Sequence, residues 1–149
     1  MDVYFGLGDY AKANYYLNQF LNKQEIDFRS DIQSFARIMR IIIHFELGNQ
    51  DLLEYTIRST YRILYKRKRL YKIESLILHF IRKKMSKINT PQNLIAAFKE
   101  LKHEFEKISK DPFEKETLVA YFDFISWLRS KIENRPYAEI IRENAKSYE

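Results

Sequence analysis

A short motif occurs twice near the start of the chain and constrains the fold more than any other feature. It reads YFGLGDY at residues 4–10 and HFELGNQD at residues 44–51, with Phe, Leu and Gly in the same register. Two weaker copies of its aromatic pair follow at His79-Phe80 and Tyr121-Phe122. A repeat of this length indicates stacked supersecondary units, because one unit alone cannot bury its apolar face.

The composition favours an all-α fold. The chain has only 3 Gly and 3 Pro among 149 residues, too few turn residues for an all-β protein. Hydrophobic residues make up 46%, with 11 Tyr and 11 Phe, which argues against disorder. The absence of Cys excludes a disulfide framework, a thiol nucleophile and a Cys-ligated metal, and it suits a reducing compartment. We therefore expect a helical protein with a cytoplasmic location.

The ends and the amino-acid usage suggest a source and a context. No apolar run reaches the roughly 18 residues of a membrane span, and the N-terminus lacks a signal-peptide pattern. Residues 1–7 read as the last turns of a helix, so we expect the C-terminal portion of a longer protein with a truncated first helix. Frequent Ile, Lys, Asn, Tyr and Phe are typical of AT-rich genomes, and we expect a bacterial source.

Cap and turn residues divide the chain into about seven helices. Gly8-Asp9 and Gly48-Asn49 fit a C′ glycine followed by a new N-cap. Thr90-Pro91 and Asp111-Pro112 each place an N-cap before a first-turn proline, and Glu114 would complete a capping box. A break near Lys66–Arg69 follows from the repeat length alone. The predicted helices are residues 9–22, 27–47, 50–66, 70–85, 91–108, 112–133 and a final helix within 136–149.

Two kinds of helix alternate along the chain. Residues 27–47 and 70–85 carry apolar residues on two sides, whereas 9–22 and 50–66 carry a single apolar stripe. Stacked hairpins require this pattern, because the first helix of each pair is covered by neighbours on both sides. The sequence thus predicts a right-handed array of antiparallel helical hairpins forming one domain over 1–149, with 136–149 as a capping helix.

The motif residues resemble a tetratricopeptide repeat. Tyr4-Phe5, Gly8, Tyr10, Ala13 and Leu17 match one half-repeat, and Phe45, Leu47, Gly48 and Ile57 match a second with Gln50 in place of the Tyr. The motif support covers roughly the first 60 residues, and the spacing departs from the family's 34 residues. The resemblance implies an α-solenoid that binds other proteins through a concave groove and has no chemistry of its own.

No residue pattern predicts catalysis, a cofactor or a metal. His44 and His79 stand in equivalent places beside a core Phe, so the repeat explains both as partly buried structural residues. Glu100-x-x-His103 has the spacing of a di-iron ligand pair, but it occurs once and faces away from the helix core. Nucleophile, phosphate-loop and zinc-protease motifs are also missing.

One stretch of the sequence has an unusual charge. Residues 58–87 contain 11 Lys or Arg and one acid, Glu74, whereas residues 1–57 carry a net charge of −3 and residues 88–149 carry −1. Tyr61, Tyr65 and Tyr71 lie among the bases. Such a run is often only the solvated end of a hairpin. Its functional interpretations are binding of an acidic protein segment, of nucleic acid or of an anionic surface.

The main hypothesis is therefore a non-enzymatic scaffold that binds a protein or peptide of acidic character. Nucleic-acid binding by the basic hairpin 58–87 is the alternative. The candidate partner-binding residues are Arg58, Arg62, Lys66, Arg67, Arg69, Lys72, Arg82 and Lys83.

Overall fold

The computed structural model describes residues 1–23, 30–66, 72–83 and 90–148. Every regular element in these ranges is a helix, which confirms the all-α class. The helices are α1 (Asp2–Gly6), α2 (Tyr10–Asn22), α3 (Ser30–Leu47), α4 (Gln50–Tyr65), α5 (Lys72–Lys83), α6 (Pro91–Ile108), α7 (Pro112–Tyr121), α8 (Phe124–Glu133) and α9 (Tyr137–Lys146). The chain forms two compact units, Met1–Leu70 and Tyr71–Glu149. The single-domain interpretation of 1–149 stays a prediction.

The repeated motif builds the same turn twice in the first unit. Gly8 and Gly48 have φ angles of 75° and 70°, a left-handed backbone that glycine adopts without strain. The amide of Asp9 donates to the Tyr4 carbonyl oxygen at 2.9 Å, and that of Asn49 donates to the His44 carbonyl oxygen at 3.2 Å. Each glycine amide also donates back to the motif Phe. Both copies are thus Schellman turns, which end α1 and α3 and lead directly into α2 and α4.

Helix α3 is the centre of the first unit. It packs against both α2 and α4, and its Ile38, Met39 and Ile42 are at most 3% exposed. Ile41 and Ile43, which point in other directions around the helix, are equally buried. Burial on both sides confirms the prediction for this helix, although its predicted start at Asp27 lies outside the described residues.

Helix α4 uses smaller residues than its predicted stripe. Leu53 and Leu64 are buried as expected, but Ile57 and Tyr61 are only half-buried. Thr56 and Thr60 fill the buried positions between the two leucines. The buried side of α4 is therefore narrower and more polar than the sequence pattern predicts.

Aromatic side chains join the helices of the second unit. Phe80 of α5 stacks on Phe98 of α6 at 5.9 Å between ring centroids, and Phe98 meets the Trp127 ring of α8 edge-on at 5.8 Å. Phe122, which precedes α8, stacks on Tyr137 of α9 at 5.5 Å. Such pairs add to the hydrophobic gain from their burial. This chain of rings fixes α5, α6, α8 and α9 around one core.

The prediction of one continuous helix over 112–133 is wrong. α7 ends at Tyr121, Phe122 is extended with φ −165° and ψ 138°, and α8 begins at Phe124. The Asp123 carboxylate caps α8 by accepting a hydrogen bond from the Ser126 amide at 2.9 Å, and it also bonds the Ser126 hydroxyl. An N-cap of this kind stabilises a new helix start where a continuing helix would leave Asp123 without a local partner.

The capping box at the start of α7 is also incomplete. The Asp111 carboxylate accepts from the Phe113 amide at 3.0 Å, whereas the Asp111 amide donates to the Ile108 carbonyl oxygen. Glu114 is only 5% exposed, and its Oε2 has no hydrogen-bond partner among the described residues. Asp111 therefore caps the helix alone. The predicted helix start at Leu70 and the predicted end at Met85 lie outside the described residues.

Candidate interaction surface

The structure divides the eight candidate partner-binding residues between the two units. Three lie on α4 in the first unit and three on α5 in the second, and all six are exposed. Arg67 and Arg69 lie outside the described residues. The α4 set is Arg58, Arg62 and Lys66, and the α5 set is Lys72, Arg82 and Lys83.

The α4 set forms one line along its helix, here called the α4 cationic face. Arg58, Arg62 and Lys66 follow one another at four-residue spacing, so each step rises about 6 Å and turns by about 40°. The stems of three positive charges thus lie within about 12 Å along the outer side of α4. The face points away from Leu53 and Leu64, which hold the opposite side of α4 in the core.

Large aromatic and aliphatic side chains border the α4 cationic face. Tyr55 is 67% exposed and Tyr65 is 69% exposed, while Leu52 and Ile63 are also on the surface. Tyr65 stacks on Tyr61 at 5.7 Å between ring centroids, which holds its ring beside Lys66. Exposed tyrosine next to arginine is the composition found at protein interfaces, because both bury large areas and keep a polar end.

The charges of the α4 cationic face are not neutralised within the described part of the chain. None of its three side chains forms an ion pair there. The arginines of the second unit behave differently. Arg129 pairs with Glu143 at 2.6 Å, and Arg135 pairs with Glu143 at 2.8 Å and with Glu133 at 3.0 Å.

Hydrogen bonds from the arginines lower the pKa of Glu143 in that network. Arg129 and Arg135 are therefore compensated within the second unit, whereas Arg58, Arg62 and Lys66 have no such partner among the described residues.

The α5 set lies on an exposed helix face that carries more net positive charge than the sequence of α5 suggests. Glu74, the single acid of residues 58–87, is only 5% exposed, so it points into the second unit instead of toward solvent. Lys72 lies 3.8 Å from the Asp111 carboxylate, but both side chains are largely exposed and such a pair contributes little. The outer side of α5 thus carries Lys72, Arg82 and Lys83, and the acid that the sequence places among them is buried.

The interpretation of His44 and His79 as equivalent is wrong. His44 is 3% exposed, whereas His79 is exposed on the same side of α5 as Lys72 and Arg82. The difference arises because α5 turns positions 72, 75, 79 and 82 toward solvent together, at helical spacing. Glu100 and His103 are both exposed, as predicted from the core stripe of α6.

Sequence reasoning missed a buried polar cluster on α3. Arg37, Arg40 and His44 share one side of a helix that is otherwise apolar from 36 to 43, and Arg37 and Arg40 are half-buried. Burial and the positive charge of Arg40 lower the pKa of His44. The signal was present in the segment RIMRIIIH, where three basic or titratable residues recur at spacings of three and four.

Metal sites and membrane spans are the two remaining site types. Across the described ranges, no three His, Asp or Glu side chains are grouped so that they could hold a metal ion. Among the helices that the structure describes, none is long and apolar enough to cross a membrane. Comparison with known proteins finds no matching protein family, no similar curated protein and no similar solved structure.

Proposed function

We propose that this chain is a non-enzymatic helical-repeat scaffold, a right-handed tetratricopeptide-like array of hairpins that binds another protein. The identical Schellman turns at Gly8 and Gly48 support a true structural repeat of helix, turn and helix. The burial of α3 on both sides supports stacking of such hairpins. A cytoplasmic location is part of the same proposal.

The contact surface in this proposal is the α4 cationic face, and the partner is an acidic protein segment. The observation that carries it is the set of three exposed, unpaired cations beside exposed Tyr55 and Tyr65. Carboxylates of a partner would gain charge-assisted hydrogen bonds to Arg58 and Arg62. The tyrosine rings would supply the apolar contact area that charges alone lack.

The test measures the affinity for a defined acidic peptide by fluorescence anisotropy. The probe is a labelled Glu-rich peptide containing Leu and Phe, and the variant combines Arg58→Gln, Arg62→Gln and Lys66→Gln. Exposed ion pairs each contribute about 0.2–1 kcal/mol, so losing three should weaken binding roughly tenfold. A peptide in which Gln replaces every Glu should bind neither protein.

The matched control removes the same charge elsewhere. Lys115, Arg142 and Lys146 are exposed and form no ion pair among the described residues. Changing all three to Gln should leave the affinity within about twofold of wild type, since they lie far along the chain in the second unit. Equal weakening by both triple variants would reject the α4 cationic face in favour of a nonspecific effect of net charge.

Single-stranded nucleic acid is the second candidate ligand, favoured by the exposed rings of Tyr55 and Tyr65. Bases stack on such rings while neighbouring cations neutralise phosphates. Binding of labelled oligothymidylate at several salt concentrations separates the two candidates. Three phosphate contacts would give a log-log slope of about −2. Tight binding with that slope, lost in the α4 triple variant, would replace the acidic peptide by nucleic acid.

A further inference from the structure

The buried polar cluster on α3 has no role in the surface described above. Arg37, Arg40 and His44 occupy positions i, i+3 and i+7, which places them within about 60° around the helix axis and about 10 Å along it. The residues between them in the sequence are apolar, and Ile41 and Ile43 are at most 1% exposed. Two guanidinium groups and an imidazole therefore project from one side of a helix that is otherwise built for a core.

The polar atoms of this cluster lack partners in the described part of the chain. His44 is only 3% exposed, and both of its ring nitrogens are buried without a hydrogen bond. Arg40 Nε is buried in the same condition. No carboxylate among the described residues pairs with Arg37 or Arg40. Native proteins rarely leave several neighbouring buried polar atoms unsatisfied, so the cluster calls for a group that the described residues do not supply.

The electrostatics specify the sign of that group. The charge of Arg40, together with burial, lowers the pKa of Arg37 and of His44. Both effects show that positive charge on this face is unfavourable without a counterion. An anion would remove the repulsion between the two arginines and accept hydrogen bonds from all three side chains.

Thr56 of the adjacent helix α4 has a buried hydroxyl and lies level with Arg40 along the helix axis. α3 and α4 pack side by side in one hairpin whose turn is Gly48-Asn49. Counting from this turn places Thr56 level with Ile41 and therefore next to Arg40 along the axis. Thr56 Oγ1 is buried and has no hydrogen-bond partner among the described residues. The hairpin thus holds one more buried polar atom without a partner among the described residues.

We propose that Arg37, Arg40 and His44 form a binding site for a phosphate group. Two arginines match the double negative charge of phosphate near neutral pH, and their planar forks donate pairs of parallel hydrogen bonds to its oxygens. A neutral His44 donates one further N–H to the same group. Arg37 and Arg40 are half-buried, so phosphate can reach them from solvent, whereas His44 is the buried residue of the site. The site is independent of the α4 cationic face.

The test is a calorimetric titration of the full chain, in a chloride buffer, with inorganic phosphate and separately with O-phosphoserine. The wild type should bind inorganic phosphate saturably at one site. Arg40→Gln should weaken this binding at least tenfold, and Arg37→Gln should do the same. The α4 triple variant, Arg58→Gln with Arg62→Gln and Lys66→Gln, should bind within about twofold of wild type. Circular dichroism checks that each variant is folded.

The two ligands separate the sources of the phosphate group. Equal binding of O-phosphoserine would assign the site to phosphorylated residues or other phosphate esters, and binding of inorganic phosphate alone would assign it to the free ion. Either result supports the site. Absence of saturable phosphate binding to the wild type would overturn it, as would undiminished binding by both arginine variants.

A second measurement on the wild type needs no substitution. Phosphate should move the imidazole NMR signals of His44, because its ring would gain a hydrogen-bond partner and a neighbouring negative charge. The exposed His79 and His103 provide internal references and should stay unchanged. Unchanged His44 signals at saturating phosphate would contradict the proposal even if some binding were detected.

Discussion

Replacing His44 by Leu should make the protein more stable, and increasingly so at acid pH. The imidazole is buried with both nitrogens unsatisfied, and leaving a buried polar group without a partner costs about 1–3 kcal/mol. Leu is apolar and similar in volume, so His44→Leu should stabilise the fold by about 1 kcal/mol near pH 7.5 in phosphate-free buffer.

The direction of the pH dependence follows from the pKa of His44. Burial and Arg40 lower this pKa in the folded protein, whereas the unfolded chain keeps a value of about 6.5. The unfolded state therefore binds more protons as the pH falls below about 6.5, and the folded state loses stability until its own lower pKa is reached. The loss cannot exceed about 1.4 kcal/mol per pH unit for one proton. The advantage of the Leu variant should thus grow as the pH falls from 7.5 to 5.5.

The assay is urea unfolding of both proteins across this pH range, followed by circular dichroism. His79 and His103 are present in both proteins, so their contributions cancel in the difference. Parallel stability profiles would refute the argument, because they would show that His44 does not titrate differently in the folded and unfolded states. A large loss of stability at every pH would instead show that the imidazole makes an essential packing contact.

Three further substitutions test the fold by urea unfolding. Asp123→Ala removes the cap of α8 and should cost about 1–2 kcal/mol, and a loss below a few tenths would contradict the capping role. Gly48→Ala should cost about 1 kcal/mol or more, because Gly48 has a positive φ that Ala adopts only with strain. Gly6→Ala should be neutral or stabilising, because Gly6 lies in a helix with open space around its Cα. Equal effects of the two substitutions would refute the argument. Leu128→Ala leaves a cavity under a fully buried side chain and should cost about 2–5 kcal/mol, and a cost under 1 kcal/mol would contradict that burial.

Local signals predicted the all-α class and several of the helix ends. Asp9, Thr90 and Asp111 accept the cap hydrogen bonds expected of them, and the two motif glycines end their helices as expected. The break before α8 was missed because no Gly or Pro marks it and large apolar residues continue through Phe122. There the deciding interaction is one carboxylate, Asp123, whose preference for capping became visible only with its bonds to Ser126.

The sequence predicted the charge of the candidate sites, but it did not predict which side chains are buried and which are exposed. Local charge alone made Arg58, Arg62 and Lys66 candidates, and the structure shows that all three are exposed. The burial of Glu74 and the exposure of His79 could not be predicted, because burial depends on which helices pack together and not on the residue type. A polar residue within an apolar helix indicates a binding site only when the structure shows that its polar atoms are buried without hydrogen-bond partners.

The most direct test of the central claim is NMR mapping of the surface that an acidic peptide touches. Backbone amide signals would be followed while the Glu-rich peptide is added to the wild-type chain. Binding through the α4 cationic face predicts the largest shifts at residues 52–66, with little change near Arg129 and Arg135, which are already paired. Shifts concentrated elsewhere, or none at saturating peptide, would contradict the proposed interaction surface.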